Sequence, residues 1–311
     1  MNNILCIAGP TASGQTALAV ALAKELDGEV VSCDSMQVYR RMDIGTAKPT
    51  KEEMQGVVHH MLDVADPEED FSVSRYCAMA TPIVDDILSR GKTAIIAGGT
   101  GLYMDSLIRG NAFAPTPSTG VRQALEAQAD REGMEAMLSR LADVDPEAAA
   151  RLHLSDRKRI IRALEVYLET GKTITQHNQE TQAFPPRYTP LWLGLDFPAR
   201  AELYRRIDRR VGLMLEAGLL EEIRALLLSG VPAGATALQA IGYKEFVAAL
   251  EGRCSVEEAA QEVCKASRHY AKRQLTWFRR NRQMHWLLRQ ESQPETELLA
   301  CARQILREND I

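Results

Sequence analysis

The eight residues Gly9, Pro10, Thr11, Ala12, Ser13, Gly14, Gln15 and Thr16 constrain this chain more than any others. They follow an apolar run, Ile4-Leu5-Cys6-Ile7-Ala8, and precede the helical-looking stretch from Ala17 to Lys24. Strand, glycine-rich loop and helix in that order form the context that makes a P-loop pattern a phosphate cradle. Its glycines let the backbone wrap closely, successive N–H groups point inward, and the helix N-terminus favours an anion. Thr16 would supply the hydroxyl that ligates Mg²⁺. One position departs from the pattern: Gln15 stands where the loop normally carries Lys.

The rest of the N-terminal third repeats the same rhythm. Strands are expected at 3–8, 29–33 and 93–97, with helices at 15–26 and 73–89 between them, which predicts a parallel sheet with crossover helices. The turn-rich stretch from Asn111 to Gly120 breaks the pattern. From 121 to about 181 the chain reads as polar, helical and free of strands. A strand-like Pro190–Leu195 follows, then a mostly helical run over 199–281. We therefore expect an α/β P-loop core, kinase-like in type, made of residues 1–117 with 189–311, and a helical insertion over 118–188. With 45% hydrophobic residues the chain has ample material for a core. The six dispersed cysteines show no metal-ligand spacing and suit a reducing cytoplasm. No signal peptide or membrane-length apolar run is evident.

Charge is distributed unevenly. The net charge is −5, yet the eight Lys and Arg between Lys265 and Gln290 face no acid within that segment, so it carries +8 and the remainder −13. Ser255-Val-Glu-Glu258 reads as a capping box opening a helix. On that helix Lys265, Arg268, Lys272 and Arg279 fall within about 60° of one another, with Arg273 and the aromatics Tyr270, Trp277 and Phe278 beside them. Such a stripe is either a solvated helix face or a nucleic-acid backbone contact. A second basic turn, Arg157-Lys158-Arg159 with Arg162, opens the apolar-periodic Ile160, Ile161, Leu164 and Leu168. Two patches in one acidic protein point to a polyanionic partner.

Further candidates gather where ligands collect in a parallel sheet, at the carboxyl ends of the strands. Asp34 follows the second strand, either as a base or Mg²⁺ ligand near the loop or as a helix N-cap. Gly98-Gly99-Thr100 ends the third strand in the same way. Gly45-Thr-Ala-Lys48 reads as a flexible lid with one cation. Arg206 and Arg210, spaced i,i+4, reach one anion together, unless they pair with Glu202 or Asp208 on a surface helix. His59-His60 with Asp63 is discounted as a metal site, since neighbours on a strand point to opposite faces.

In order along the chain, seven motifs resemble those of the tRNA dimethylallyltransferases. They are Gly9–Thr16, Asp34-Ser-Met-Gln-Val-Tyr39, Met42-Asp-Ile-Gly-Thr-Ala-Lys-Pro49, Gly98-Gly-Thr-Gly-Leu-Tyr103, Arg159-x-x-Arg162-Ala-Leu-Glu165, Ile241-Gly-Tyr-Lys-Glu245 and Tyr270-Ala-Lys-Arg-Gln-x-Thr-Trp-Phe-Arg279. The resemblance implies a cytoplasmic, monomeric enzyme that moves a five-carbon group from dimethylallyl diphosphate to N6 of the adenine just 3′ of the tRNA anticodon. It implies that the helical insertion grips the anticodon arm. The poor amine nucleophile needs a carboxylate to take its proton, and Asp34 is the choice; the resemblance casts Arg206 or Arg210 as diphosphate ligands, and Ser35, Met36 and Gln37 as the cradle of the flipped adenine. Thr100, Arg122 and the turn Lys158, Arg159, Ile160, Ile161, Arg162 would meet RNA, with Lys272, Arg273 and Arg279 as further contacts. Family members carry Lys where this chain has Gln15, so activity lower by one to two powers of ten is expected, about the difference between a charge-assisted and a neutral hydrogen bond. Two other readings use the same residues: a P-loop small-molecule kinase, and a non-catalytic RNA-binding protein with a relict loop.

Overall fold

The computed structural model describes residues 4–111, 113, 119–290 and 295–309. Most of the turn-rich stretch, with the boundary placed at 117–118, lies outside the described residues. The chain divides into two compact units, one made of 1–110 with 187–311 and the other of 111–186.

The first unit carries one sheet. Its N-terminal part runs β1 (Ile4–Ala8), α1 (Gln15–Glu25), β2 (Gly28–Ser32), α2 (Lys51–Met54), β3 (His59–His60), α3 (Val73–Ser89), β4 (Thr93–Gly98) and α4 (Gly101–Arg109). The second unit is helical, with α5 (Val121–Val144), α6 (Pro146–Ala149), α7 (Arg157–Thr170) and α8 (Ile174–Gln182). The first unit then resumes with β5 (Leu191–Asp196), α9 (Arg200–Glu216), α10 (Leu219–Leu228), α11 (Lys244–Leu250), α12 (Val256–Phe278), β6 (Met284–Leu288) and α13 (Glu295–Glu308).

The six strands are all parallel, in the order β3-β2-β4-β1-β5-β6. Every residue of β1 is buried, because helices cover both faces of such a sheet; hence its unbroken apolar sequence. Leu5 and Ile7 pack with Leu18 and Leu22 of α1 and with Leu298 and Leu306 of α13. Strand β6, at one edge beside β5, extends the sheet beyond what the sequence predicted. Where the second unit interrupts the first, the chain closes on itself: Arg187 N donates to Arg109 O at 3.3 Å and Tyr188 N to Ile108 O at 3.0 Å.

All six cysteines are free thiols, and those at 6, 33 and 77 are buried. No described helix is long and apolar enough to cross a membrane. His59 and His60 sit on β3; His60 Nε2 lies 2.8 Å from Glu29 Oε2, and the described residues contain no cluster that would hold a metal by His, Cys, Asp and Glu alone.

Candidate active site

The glycine-rich loop leaves β1 and enters α1 through Gly14, whose φ of 95° lies in the left-handed region. A Cβ there would also stand 2.1 Å from Arg289 Nη1, so glycine is required twice over. No side chain caps this helix and its first turn holds no acid, which leaves its N–H groups open to an anion. Long-range contacts fix the loop from behind. Arg289, buried beyond β6, donates to Ser13 O at 3.2 Å. Gln274 of α12, also buried, accepts from Thr11 N at 2.9 Å and donates to Gly99 O at 2.9 Å, tying the loop to the end of β4. Gln15 makes a parallel tie: its Nε2 donates to Gly98 O at 2.7 Å.

Helix α9 brings its arginines against the same loop. Arg206 Nε donates to Ala12 O at 2.9 Å, and Arg210 Nη1 reaches Thr11 Oγ1 at 3.4 Å. Asp208, the alternative partner, instead holds Arg268 through two hydrogen bonds. Burial pulls Arg210 below the ordinary arginine range, while the Asp34 carboxylate pulls it back.

Asp34 is not a helix cap. Residues 35–38 form a turn, and Asp34 Oδ1 accepts from Met36 N at 2.8 Å and Gln37 N at 3.3 Å. Burial raises its pKa above the ordinary 3.8, against the pull of those two N–H groups and of Arg210. Thr100 braces the turn by accepting from Ser35 N at 3.0 Å.

Two cavities meet here. A polar one of about 640 Å³ is lined by Gln15, Thr16, Arg206, Arg209 and Gln274; an apolar one of about 290 Å³ is lined by Met36, Ile207, Met214, Ile241 and Val263. Asp34, Arg210 and Tyr270 line both. Burial pushes the Tyr270 phenol up to about 12, so it stands between them as a neutral hydroxyl.

This arrangement has counterparts. The IPP transferase family model matches residues 37–281. The tRNA dimethylallyltransferase of Acetivibrio thermocellus is 43% identical over 300 residues, 96% of either chain. This chain belongs to the tRNA dimethylallyltransferase family. The full-length tRNA isopentenylpyrophosphate transferase of Bacillus halodurans superposes with a TM-score of 0.73 at 40% identity, covering 98% of this chain and 96% of that one. A eukaryotic dimethylallyltransferase acting on tRNA gives 0.81 at 29% identity over 99% of this chain and 78% of its own.

Several residues singled out from the sequence of this tRNA dimethylallyltransferase family member have other work. Gln37 lines the polar cavity with its carboxamide engaged, accepting from Ser32 Oγ at 3.0 Å and donating to Thr46 O and Ala47 O at 3.3 and 3.1 Å. Lys48 is no lid cation, because its buried ammonium sits 2.6 Å from both Asp43 and Asp63 and donates to Tyr39 O at 2.7 Å. Ile160 and Ile161 offer no surface to RNA in this structure, since both are buried with Leu125, Met137 and Leu141 in the core of the second unit. In that unit the buried Glu165 collects Arg122 (3.0 Å) and Arg162 (2.7 Å), and these arginines line a cavity of about 550 Å³ together with Arg151, Lys158 and Arg159. The basic stripe of α12 is largely compensated: Lys265 pairs with Glu262, Arg268 with Asp208, and Arg279, just past the helix end, with Asp196 at 2.7 Å. Lys272 and Arg273 are exposed, the latter over the Tyr270 ring.

One positioning residue has no sequence signal. Glu222 of α10 accepts from Asp43 N and Ile44 N at 2.8 Å, from Gly45 N at 3.2 Å and from Tyr243 Oη at 2.6 Å. It thereby fixes the 43–48 loop, of which Thr46 borders both cavities. Tyr243 belongs to the Ile241–Glu245 motif, and its ring would lie within 2.7 Å of a Cβ on Gly45.

Proposed function

We propose that this chain transfers the dimethylallyl group of dimethylallyl diphosphate to N6 of the adenine 3′ of the tRNA anticodon. The observation that carries this reading is Asp34 at the junction of a cationic, P-loop-bearing cavity and an apolar one. The polar side suits the diphosphate and the apolar side suits the five-carbon chain and the base. As the allylic C1–O bond breaks, the electron pair leaves with the diphosphate, where open N–H groups, Arg206 and Arg210 meet the growing charge. N6 attacks C1, and its proton passes to the Asp34 carboxylate, whose raised pKa makes it the stronger base. The adenine must leave its stack, at a cost of about a few kcal/mol, before it reaches the cavity.

Mg²⁺ fits the donors present: Thr16, with its hydroxyl, lines the polar cavity, and an ion that keeps its waters and diphosphate oxygens needs only one or two protein ligands. When bound, it would neutralise charge on the leaving group. The helical unit, with Lys158 and Arg159 exposed on the rim of its basic cavity, is the tRNA grip in this reading. The named relatives are transferases, which leaves the kinase and the non-catalytic binder without support.

Incubation with dimethylallyl diphosphate, ATP and unmodified tRNA tests the proposal. Prenylated tRNA with ATP untouched is expected; ATP consumption would favour a kinase, and tRNA binding without turnover a relict loop. Replacing Lys158 and Arg159 together by Gln should weaken tRNA binding and flatten its salt dependence by one to two units of log–log slope, roughly 0.7–0.9 per phosphate contact. An unchanged slope would move the RNA surface elsewhere.

A further inference from the structure

The polar cavity faces a problem of charge balance. A diphosphate leaving group brings about three negative charges, and the loop that cradles it has a neutral Gln15 in place of a cation. Lys48 is compensated by Asp43 and Asp63. Two carboxylates, Asp34 and Glu53, line the cavity, against Arg206, Arg209 and Arg210. If Arg206 and Arg210 were the only uncompensated side-chain cations, they would merely offset the two acids and leave the diphosphate's charge to the metal ion alone. Arg209 supplies the surplus.

We propose that Arg209 is a direct diphosphate ligand that takes over the charge missing at Gln15; this rests on the transferase reading of the polar cavity. Residues 206, 209 and 210 stand at i, i+3 and i+4, one face of α9. The outer two are already seated on the loop, at Ala12 O and Thr11 Oγ1. Arg209 lines the same cavity as Gln15 and Thr16, is exposed, and has no hydrogen-bond or ion-pair partner among the described residues. Its five N–H donors form a planar fork that matches phosphate oxygens. Gln15 uses one N–H on Gly98 O, which makes it a brace between two loops more than a ligand. The positive charge then stands on the facing helix and not on the loop.

A double-mutant cycle tests this. Single-turnover transfer at saturating tRNA, and binding of inorganic pyrophosphate by calorimetry, are measured for the wild type, Arg209→Gln, Gln15→Lys and the double variant. Arg209→Gln should lower the transfer rate and pyrophosphate affinity by about ten- to a hundredfold, the worth of one charge-assisted hydrogen bond, with tRNA affinity changed less than about twofold. Adding Gln15→Lys to Arg209→Gln should recover most of that loss, and its gain there should exceed its gain in the wild type by about tenfold. Additive effects of the two substitutions, or equal pyrophosphate affinity with and without Arg209, would overturn the proposal. Pyrophosphate binding separates the two readings: a wild type that binds it but transfers nothing fails as a transferase, while the cycle on affinity still decides the role of Arg209.

Discussion

Replacing Asp34 by Asn is expected to lower transfer by about 10²- to 10⁴-fold, the range for removal of a positioned general base. Asn keeps the size of the side chain, and its carbonyl oxygen can still accept from Met36 N and Gln37 N, so the turn should hold. It cannot take the N6 proton. The pH profile gives a second readout. The active form is the carboxylate, and burial places its pKa above 3.8, so kcat/KM should rise with pH through that raised value. In Asp34→Asn this acidic limb should vanish. A variant within a few-fold of wild type, with the limb intact, would make Asp34 a turn-former only and send the search for a base elsewhere.

Arg210→Ala should cost about 10²- to 10³-fold in turnover, as removal of one preorganised donor to a developing oxyanion typically does. The loss should exceed that of Arg209→Gln, because Arg210 borders both cavities and is held in place against Thr11. It should also shift the acidic limb. Arg210 holds the Asp34 pKa down, so its removal lets burial raise that pKa further and moves the limb to higher pH. Arg210→Lys should restore the pH profile but only part of the rate, since a single ammonium keeps the charge and loses the fork. Thermal unfolding of the three proteins checks that the fold is common to all. A rate drop without any movement of the limb would separate Arg210 from Asp34.

What the sequence disclosed and what it hid follow from the range of the interactions. Strands β1, β2, β4 and β5 were legible because a strand buried on both faces is written as a short apolar run. Strand β6, Met-His-Trp-Leu-Leu, sits at the sheet edge among basic residues and gives no such run. The phosphate loop and Asp34 were legible because their chemistry is local to the ends of β1 and β2. Gln274, Arg289 and Glu222 were not: they serve backbone atoms 175 to 276 residues away, and nothing near them in sequence announces it. The charge balance of the +8 segment was hidden for the same reason. Asp196 and Asp208, which compensate Arg279 and Arg268, come from β5 and α9. Ile160 and Ile161 show the opposite case, where the apolar period alone told of a core and their place in a basic motif suggested RNA.

The meeting of Arg109 with Arg187 has a consequence beyond local geometry. Two backbone hydrogen bonds, Arg187 to Arg109 and Tyr188 to Ile108, bring together the points where the helical unit departs and where it returns. The sheet is therefore complete across that seam, and loop-closure entropy grows only slowly with the length of what is spliced in. A lineage could lengthen, trim or exchange the helical segment without renegotiating the strand order beneath it. The sheet and the helical unit can thus change at different tempos, as an instrument keeps its body while the handle is refitted.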